Sequence, residues 1–203
     1  MYRNVVSPES FVVDPIRDGV ANALWANIAG TPAVASNKFR FNADESLVRA
    51  DLKFCRLEFM VNIPLTGVQT PADLVNDVEF GLKNVALGNK GKITVLLDQS
   101  EGTISFSAYD ETGTVIETVT FDWDTDWNGT DTKFIIFWAS DRAVLYVDGA
   151  DPSNKVAEIQ KPSDIGVFSR YPLNPWIKVT GAENVDVAYI AVDNAQSSSI
   201  MLI

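Results

Sequence analysis

Residues 132–149 read TKFIIFWASDRAVLYVDG. Two runs of bulky β-forming residues, Phe134 to Trp138 and Ala143 to Val147, flank the short polar segment Ala139-Ser140-Asp141-Arg142, the pattern of an antiparallel hairpin. Both faces of the first run are apolar: Phe134, Ile136 and Trp138 alternate with Ile135 and Phe137. A strand wet on one side has no use for that, so the hairpin is expected well inside a sheet and covered on both sides.

Working outward, the same two-residue period recurs on either side of the hairpin. Leu52 to Ile63 is the longest alternating run, with Cys55, Leu57, Phe59, Val61 and Ile63 on its core face, and Pro64 ends it. Asp77 to Lys83 places Val78, Phe80 and Leu82 inward and Asp77, Glu79, Gly81 and Lys83 outward. Lys92 to Asp98, Thr103 to Tyr109 and Thr114 to Phe121 form a meander with turns at Gln99 to Gly102 and Asp110 to Gly113. After the hairpin come Lys155 to Ile159, Trp176 to Val179 and Val185 to Asp193, the last with Val185, Val187, Tyr189 and Ala191 on one face. Leu24 to Asn37 reads as a loop-rich opening around Gly30-Thr31-Pro32, followed by the short strand Lys38 to Asn42. No helical period persists. About a dozen short strands separated by turn signals predict an all-β chain folded as an antiparallel two-sheet sandwich.

Length and composition set further bounds. With 203 residues and 46% hydrophobic content, the chain suits a single domain, residues 1–203, with an extended N-terminal arm to about residue 20 and a short apolar tail at 197–203. A net charge of -11 argues against nucleic acid or an anionic membrane as partner, since both select lysine and arginine patches. No stretch approaches the ~20 apolar residues of a membrane span. The chain contains no histidine, which excludes Ser-His and Cys-His nucleophiles and histidine-ligated zinc. The single Cys55 forms no intrachain disulfide and reads as a small buried hydrophobe. No apolar run of signal-peptide length precedes Pro8, Glu9 and Asp14, so synthesis and folding in a cytoplasm are expected.

The hairpin residues Phe134, Ile136, Trp138, Asp141, Val144, Tyr146, Asp148 and Gly149 resemble the aromatic strand, short turn and Tyr-x-Asp-Gly closure of the concanavalin A-like and laminin G-like jelly rolls. An early Trp25, the Gly30-Thr31-Pro32 loop and a Phe39-x-Phe41 strand look like the opening of the same superfamily. The resemblance implies a concanavalin A-like jelly roll and leaves chemistry open, because lectins, glycanases, lyases, adhesion modules and virion proteins share that fold. Its glucanases carry Glu-x-Asp-x-x-Glu on a central strand, with the carboxylates on one sheet face for double displacement. The local match here is Asp77-Val-Glu79-Phe-Gly-Leu82, in which Leu82 occupies the third carboxylate's place. Lyases of this fold resemble alginate lyases, which rely on a histidine this chain lacks.

Sugar recognition needs an aromatic platform and a few fixed polar groups. The candidates are Trp123 and Trp127 with Asn128, or the Arg56-Glu58 pair beside Glu79, with Asp77 on the same strand as Glu79. The acidic stretch Asp122 to Asp131 does not match a calcium loop: counted from Asp122, glycine falls at the eighth place and Lys133 at the twelfth. Alternate carboxylates on a strand stand about 6.5 Å apart at the backbone, so no metal is expected there, and no other cofactor. The tail residues Ile200, Met201, Leu202 and Ile203 and the apolar arm (Val5, Val6, Phe11, Val12, Val13) suggest that at least one end docks on another chain, the alternative being that both tuck onto their own sandwich.

These features lead to an expected non-catalytic structural or binding module. The expectation is a phage virion component such as a decoration, tail or fibre protein, homo-oligomeric, contacting other virion proteins and surface glycans. The alternative is a lectin-like carbohydrate-binding module, and behind it a degenerate glycoside hydrolase.

Overall fold

A computed structural model of the chain describes residues 11–13, 25–29, 33–35, 38–41, 46–49, 56–62, 76–84, 91–122, 131–138, 142–148, 152–160, 173–181 and 185–193. They form fifteen strands: β1 (Phe11–Val13), β2 (Trp25–Ala29), β3 (Ala33–Ala35), β4 (Lys38–Phe41), β5 (Ser46–Arg49), β6 (Arg56–Asn62), β7 (Asn76–Lys83), β8 (Lys92–Asp98), β9 (Thr103–Tyr109), β10 (Val115–Phe121), β11 (Asp131–Trp138), β12 (Arg142–Val147), β13 (Lys155–Gln160), β14 (Asn174–Gly181) and β15 (Val185–Asp193). One sheet runs β13-β12-β11-β6-β15-β4-β3, with β1 also paired to β15, and the other runs β10-β9-β8-β7-β14-β5-β2. Every pairing is antiparallel.

The core lies between the two sheets and follows the alternation. Val78, Phe80 and Leu82 of β7, Ile93, Val95 and Leu97 of β8, and Ile104, Phe106 and Ala108 of β9 meet Phe134 and Ile136 of β11 and Leu145 of β12 in one buried cluster. The Phe80 and Phe134 rings, one from each sheet, sit 5.2 Å apart at a 59° tilt, a favourable aromatic arrangement across the sandwich.

The hairpin β11–β12 lies inside its sheet, flanked by β6 and β13, and its outer positions Ile135 and Val144 are each only 1% exposed. Both of its faces are therefore covered, as expected from the sequence. Asp148, which follows β12, has φ 61°, and its carboxylate accepts the Lys133 N–H at 3.0 Å while its own N–H donates to the Lys133 carbonyl at 2.7 Å. Asp148 of the hairpin motif thus ties off the end of the β11–β12 ladder. Asp is one of the few residue types that takes up the left-handed conformation at low cost.

Three expectations change. Residues 25–29 and 33–35, expected as loop, are the strands β2 and β3, and Ser46–Arg49 forms β5. Part of the arm, Phe11–Val13, pairs with Ile190–Val192 and so adds to the chain's own sheet. In β15 the register shifts between Val187 and Tyr189, so the expected face of Val185, Val187, Tyr189 and Ala191 does not run through. Val187 pairs with Val61, but beyond the bulge Ile190 and Val192 come opposite Phe59 and Leu57. Those are the same β6 positions that pair with Phe134 and Ile136. One extra residue exchanges the two faces of a strand.

Candidate functional site

β7 is the middle strand of the seven-stranded sheet, and its alternate residues Asp77, Glu79, Gly81 and Lys83 occupy the face turned away from the core. Pairing builds the neighbourhood. Glu79 is level with Lys178 of β14 and Leu96 of β8, Gly81 with Trp176 and Thr94, and Lys83 with Asn174 and Lys92. The Lys92 ammonium reaches diagonally to the Glu79 carboxylate at 2.9 Å, with the two side chains 23% and 24% exposed. Asp77 is engaged differently: its carboxylate accepts the Gln99 N–H at 2.8 Å and so holds the β8–β9 turn.

This outer face is polar yet partly covered. Thr94, Ser107, Lys83 and Asn174 are buried although none of them faces the core. Ser107 and Thr118 share a hydrogen bond of 2.9 Å between β9 and β10, and Ser105 and Thr120 one of 3.3 Å. The Lys83 ammonium lies 4.2 Å from the centre of the Trp176 ring, and Lys92 lies 4.5 Å from that of Tyr109, both cation–π distances. Burial pushes the Lys83 ammonium below the ordinary lysine range; Glu79 opposes the shift, while Lys92 and Lys178 add to it. The indole Nε1 of Trp176 is buried without a hydrogen-bond partner among the described residues.

The sequence candidates do not gather in one place. Arg56 and Glu58 lie on β6 in the eight-stranded sheet, level with Phe137 and Ile135. Glu79 points away from that sheet, so the expected grouping of Arg56 and Glu58 beside Glu79 is not formed. Leu82, in the third carboxylate's place of the glucanase pattern, is fully buried in the core, on the opposite face from Asp77 and Glu79. Trp123, Trp127 and Asn128, and the tail Ile200, Met201, Leu202 and Ile203, lie outside the described residues. Among the described residues no group of three His, Cys, Asp or Glu converges on a metal position, and no helix is long and apolar enough to cross a membrane. Lys92, Trp176 and Lys178 were missed as site residues because only strand pairing brings them to β7. Lys83 was legible as the next outward position after Gly81.

No protein-family model matches the chain, and no curated protein does. Solved structures do. A prokaryotic β-1,3-1,4-glucanase (lichenase) derived from a mouse hindgut metagenome superposes with a TM-score of 0.67 at 11% identity, over 91% of this chain and 99% of that one. The Bacillus licheniformis β-glucanase gives 0.67 at 9% identity, over 91% and 97%. Arcelin-5, a lectin-like defence protein from Phaseolus vulgaris, gives 0.58 at 13% identity, over 91% and 98%.

These neighbours correct the expectation of a non-catalytic virion component. The proteins that share the fold over nearly the whole chain are glucanases and a lectin-like protein, and they give the virion reading no support. They correct the expectation of a non-enzyme as well, which rested on the absence of histidine and on Leu82 at the third carboxylate's place, since glucanases share this fold. Two antiparallel sheets in this order, superposable over nearly the whole chain on glucanases and a lectin-like protein, give the chain the concanavalin A-like jelly-roll sandwich fold.

Proposed function

We propose that the protein binds a polysaccharide of the β-glucan type along the outer face of the seven-stranded sheet, across β7. The observation that supports this most is the chemistry of that face. Hydroxyls of Ser105 and Thr120, the Glu79–Lys92 ion pair and the half-buried Tyr109 ring present fixed donors, acceptors and an aromatic edge on strands not covered by the core. Sugars are held by that combination. The outer face of the opposite sheet is buried and apolar at Ile135 and Val144, and its Lys155–Glu158 pair lies on the edge strand β13. The glucanase and lectin-like neighbours support the same ligand class.

Hydrolysis is a second reading, favoured by Asp77 and Glu79 standing at alternate positions on one face. Their backbones are about 6.6 Å apart on a strand, but Asp77 turns to Gln99 and Glu79 to Lys92, toward opposite ends of β7, so the ~5–5.5 Å carboxyl spacing of a retaining glycosidase requires both side chains to turn back toward each other. Both carboxylates have protein partners, Gln99 and Lys92, which a substrate must share or displace.

Affinity electrophoresis in soluble β-1,3-1,4-glucan, run beside a reducing-sugar assay, tests both. Retarded migration that weakens about tenfold in Tyr109→Ala supports binding, a loss on the scale of one good contact. Release of reducing ends that disappears in Glu79→Gln and Asp77→Asn supports hydrolysis. Unretarded migration in this glucan and in a panel of other β-linked polysaccharides would refute the proposal.

A further inference from the structure

The chain carries a net charge of -11, yet the middle of this face is locally cationic. Lys83, Lys92 and Lys178 surround Glu79, with Lys178 level with Glu79 and Lys83 level with Lys92 on the neighbouring strand. Glu79 is bonded to Lys92, and Asp77 is turned to the Gln99 N–H. Lys83 and Lys178 form no direct ion pair among the described residues, and Glu79 acts on Lys83 only at a distance. Lys83 is only 6% exposed, and its contact is the Trp176 ring. Like charges on adjacent strands repel, and a buried ammonium without an anion is costly. The Trp176 ring offsets part of that cost, and a ligand that brings a negative charge relieves it further.

We propose that the polysaccharide taken up on this face is acidic, and that a carboxylate or sulfate group of its sugars sits among Lys83, Lys92 and Lys178. The inference rests on the glycan-binding reading and adds to it the charge of the ligand. The overall negative charge of the protein opposes a polyanion at long range, but at physiological ionic strength that field is screened beyond about 8 Å. Contacts with the three ammonium groups act at shorter range and survive the screening.

The test is calorimetric titration of the full chain at physiological salt with three oligosaccharides of equal length: a neutral β-linked glucan, a β-1,4-linked oligouronate and a sulfated glucan. At least tenfold tighter binding of either anionic probe supports the inference, and the preferred one identifies the anionic group. In Lys178→Ala the anionic affinity should fall about tenfold and the margin over the neutral probe should shrink with it; that side chain is exposed, so the fold is unaffected. Equal or tighter binding of the neutral probe overturns the charge inference and leaves glycan binding standing. Failure of all three probes to bind overturns both.

Discussion

Gly81 offers the sharpest test of how the central face is built. A Cβ added there would lie 2.1 Å from the Ile93 carbonyl oxygen and 3.0 Å from the Thr94 Cα, and the residue sits at φ +150°. The obstacle is the backbone of β8, so no side-chain rotation relieves it. Gly81→Ala must either push β8 away or leave the φ that this position uses. Forced packing costs about 1–3 kcal/mol and a residue held in an unfavourable backbone region about another 1–3. Together they predict a loss of about 2–6 kcal/mol, a large share of the ~5–15 kcal/mol of an ordinary domain. With a urea slope of ~2–3 kcal/mol per molar, the unfolding midpoint should drop by roughly 0.7–3 M. Gly102→Ala is the control. Its φ of 67° lies in a turn, so the cost should be about 1–2 kcal/mol, that of the left-handed conformation alone. A midpoint shift for Gly81→Ala below about 0.3 M, or no larger than that of Gly102→Ala, would show that β7 and β8 do not approach as described.

Phe106 is fully buried, and Phe106→Ala should cost about 3–5 kcal/mol in the same urea experiment. Trp138, only partly buried against the core, should cost less when truncated to Ala, and the reverse order would misplace the core. The Asp110 carboxylate is held below the ordinary aspartate range, first by the Thr112 hydroxyl and also by backbone N–H groups of the β9–β10 turn. A depressed acid stabilises the fold above its unfolded pKa and loses that contribution as pH falls through the folded one. Melting curves of Asp110→Asn should therefore decline less steeply into acid than those of the parent. Lys83 has the opposite consequence: with its pKa lowered by burial, the unfolded chain binds the extra proton, and stability rises with pH up to the ordinary lysine value. Lys83→Met should remove that alkaline rise and raise the melting temperature at pH 7; a lower melting temperature at pH 7 would show that the Trp176 contact outweighs the burial cost.

The alternation of β7, β8 and β9, their turns and the hairpin at 132–149 were determined by the sequence alone, because a period of two and a left-handed turn residue are properties of neighbouring positions. Gly102 and Gly113, read as turn ends, have φ of 67° and 90°. Asp77, Glu79, Gly81 and Lys83 were correctly placed outward for the same reason. Strands of three to five residues such as β2, β3 and β5 are too short to display a period, and the β15 bulge breaks one without leaving a mark such as glycine or proline. The composition of the site was decided by the tertiary structure. Trp176 and Lys178 stand beside Gly81 and Glu79 because β14 pairs with β7, while Arg56 and Glu58 go to the other sheet because β6 pairs with β11 and β15. Those choices follow from burying both sheets against each other at once, and no local stretch of the chain carries that information.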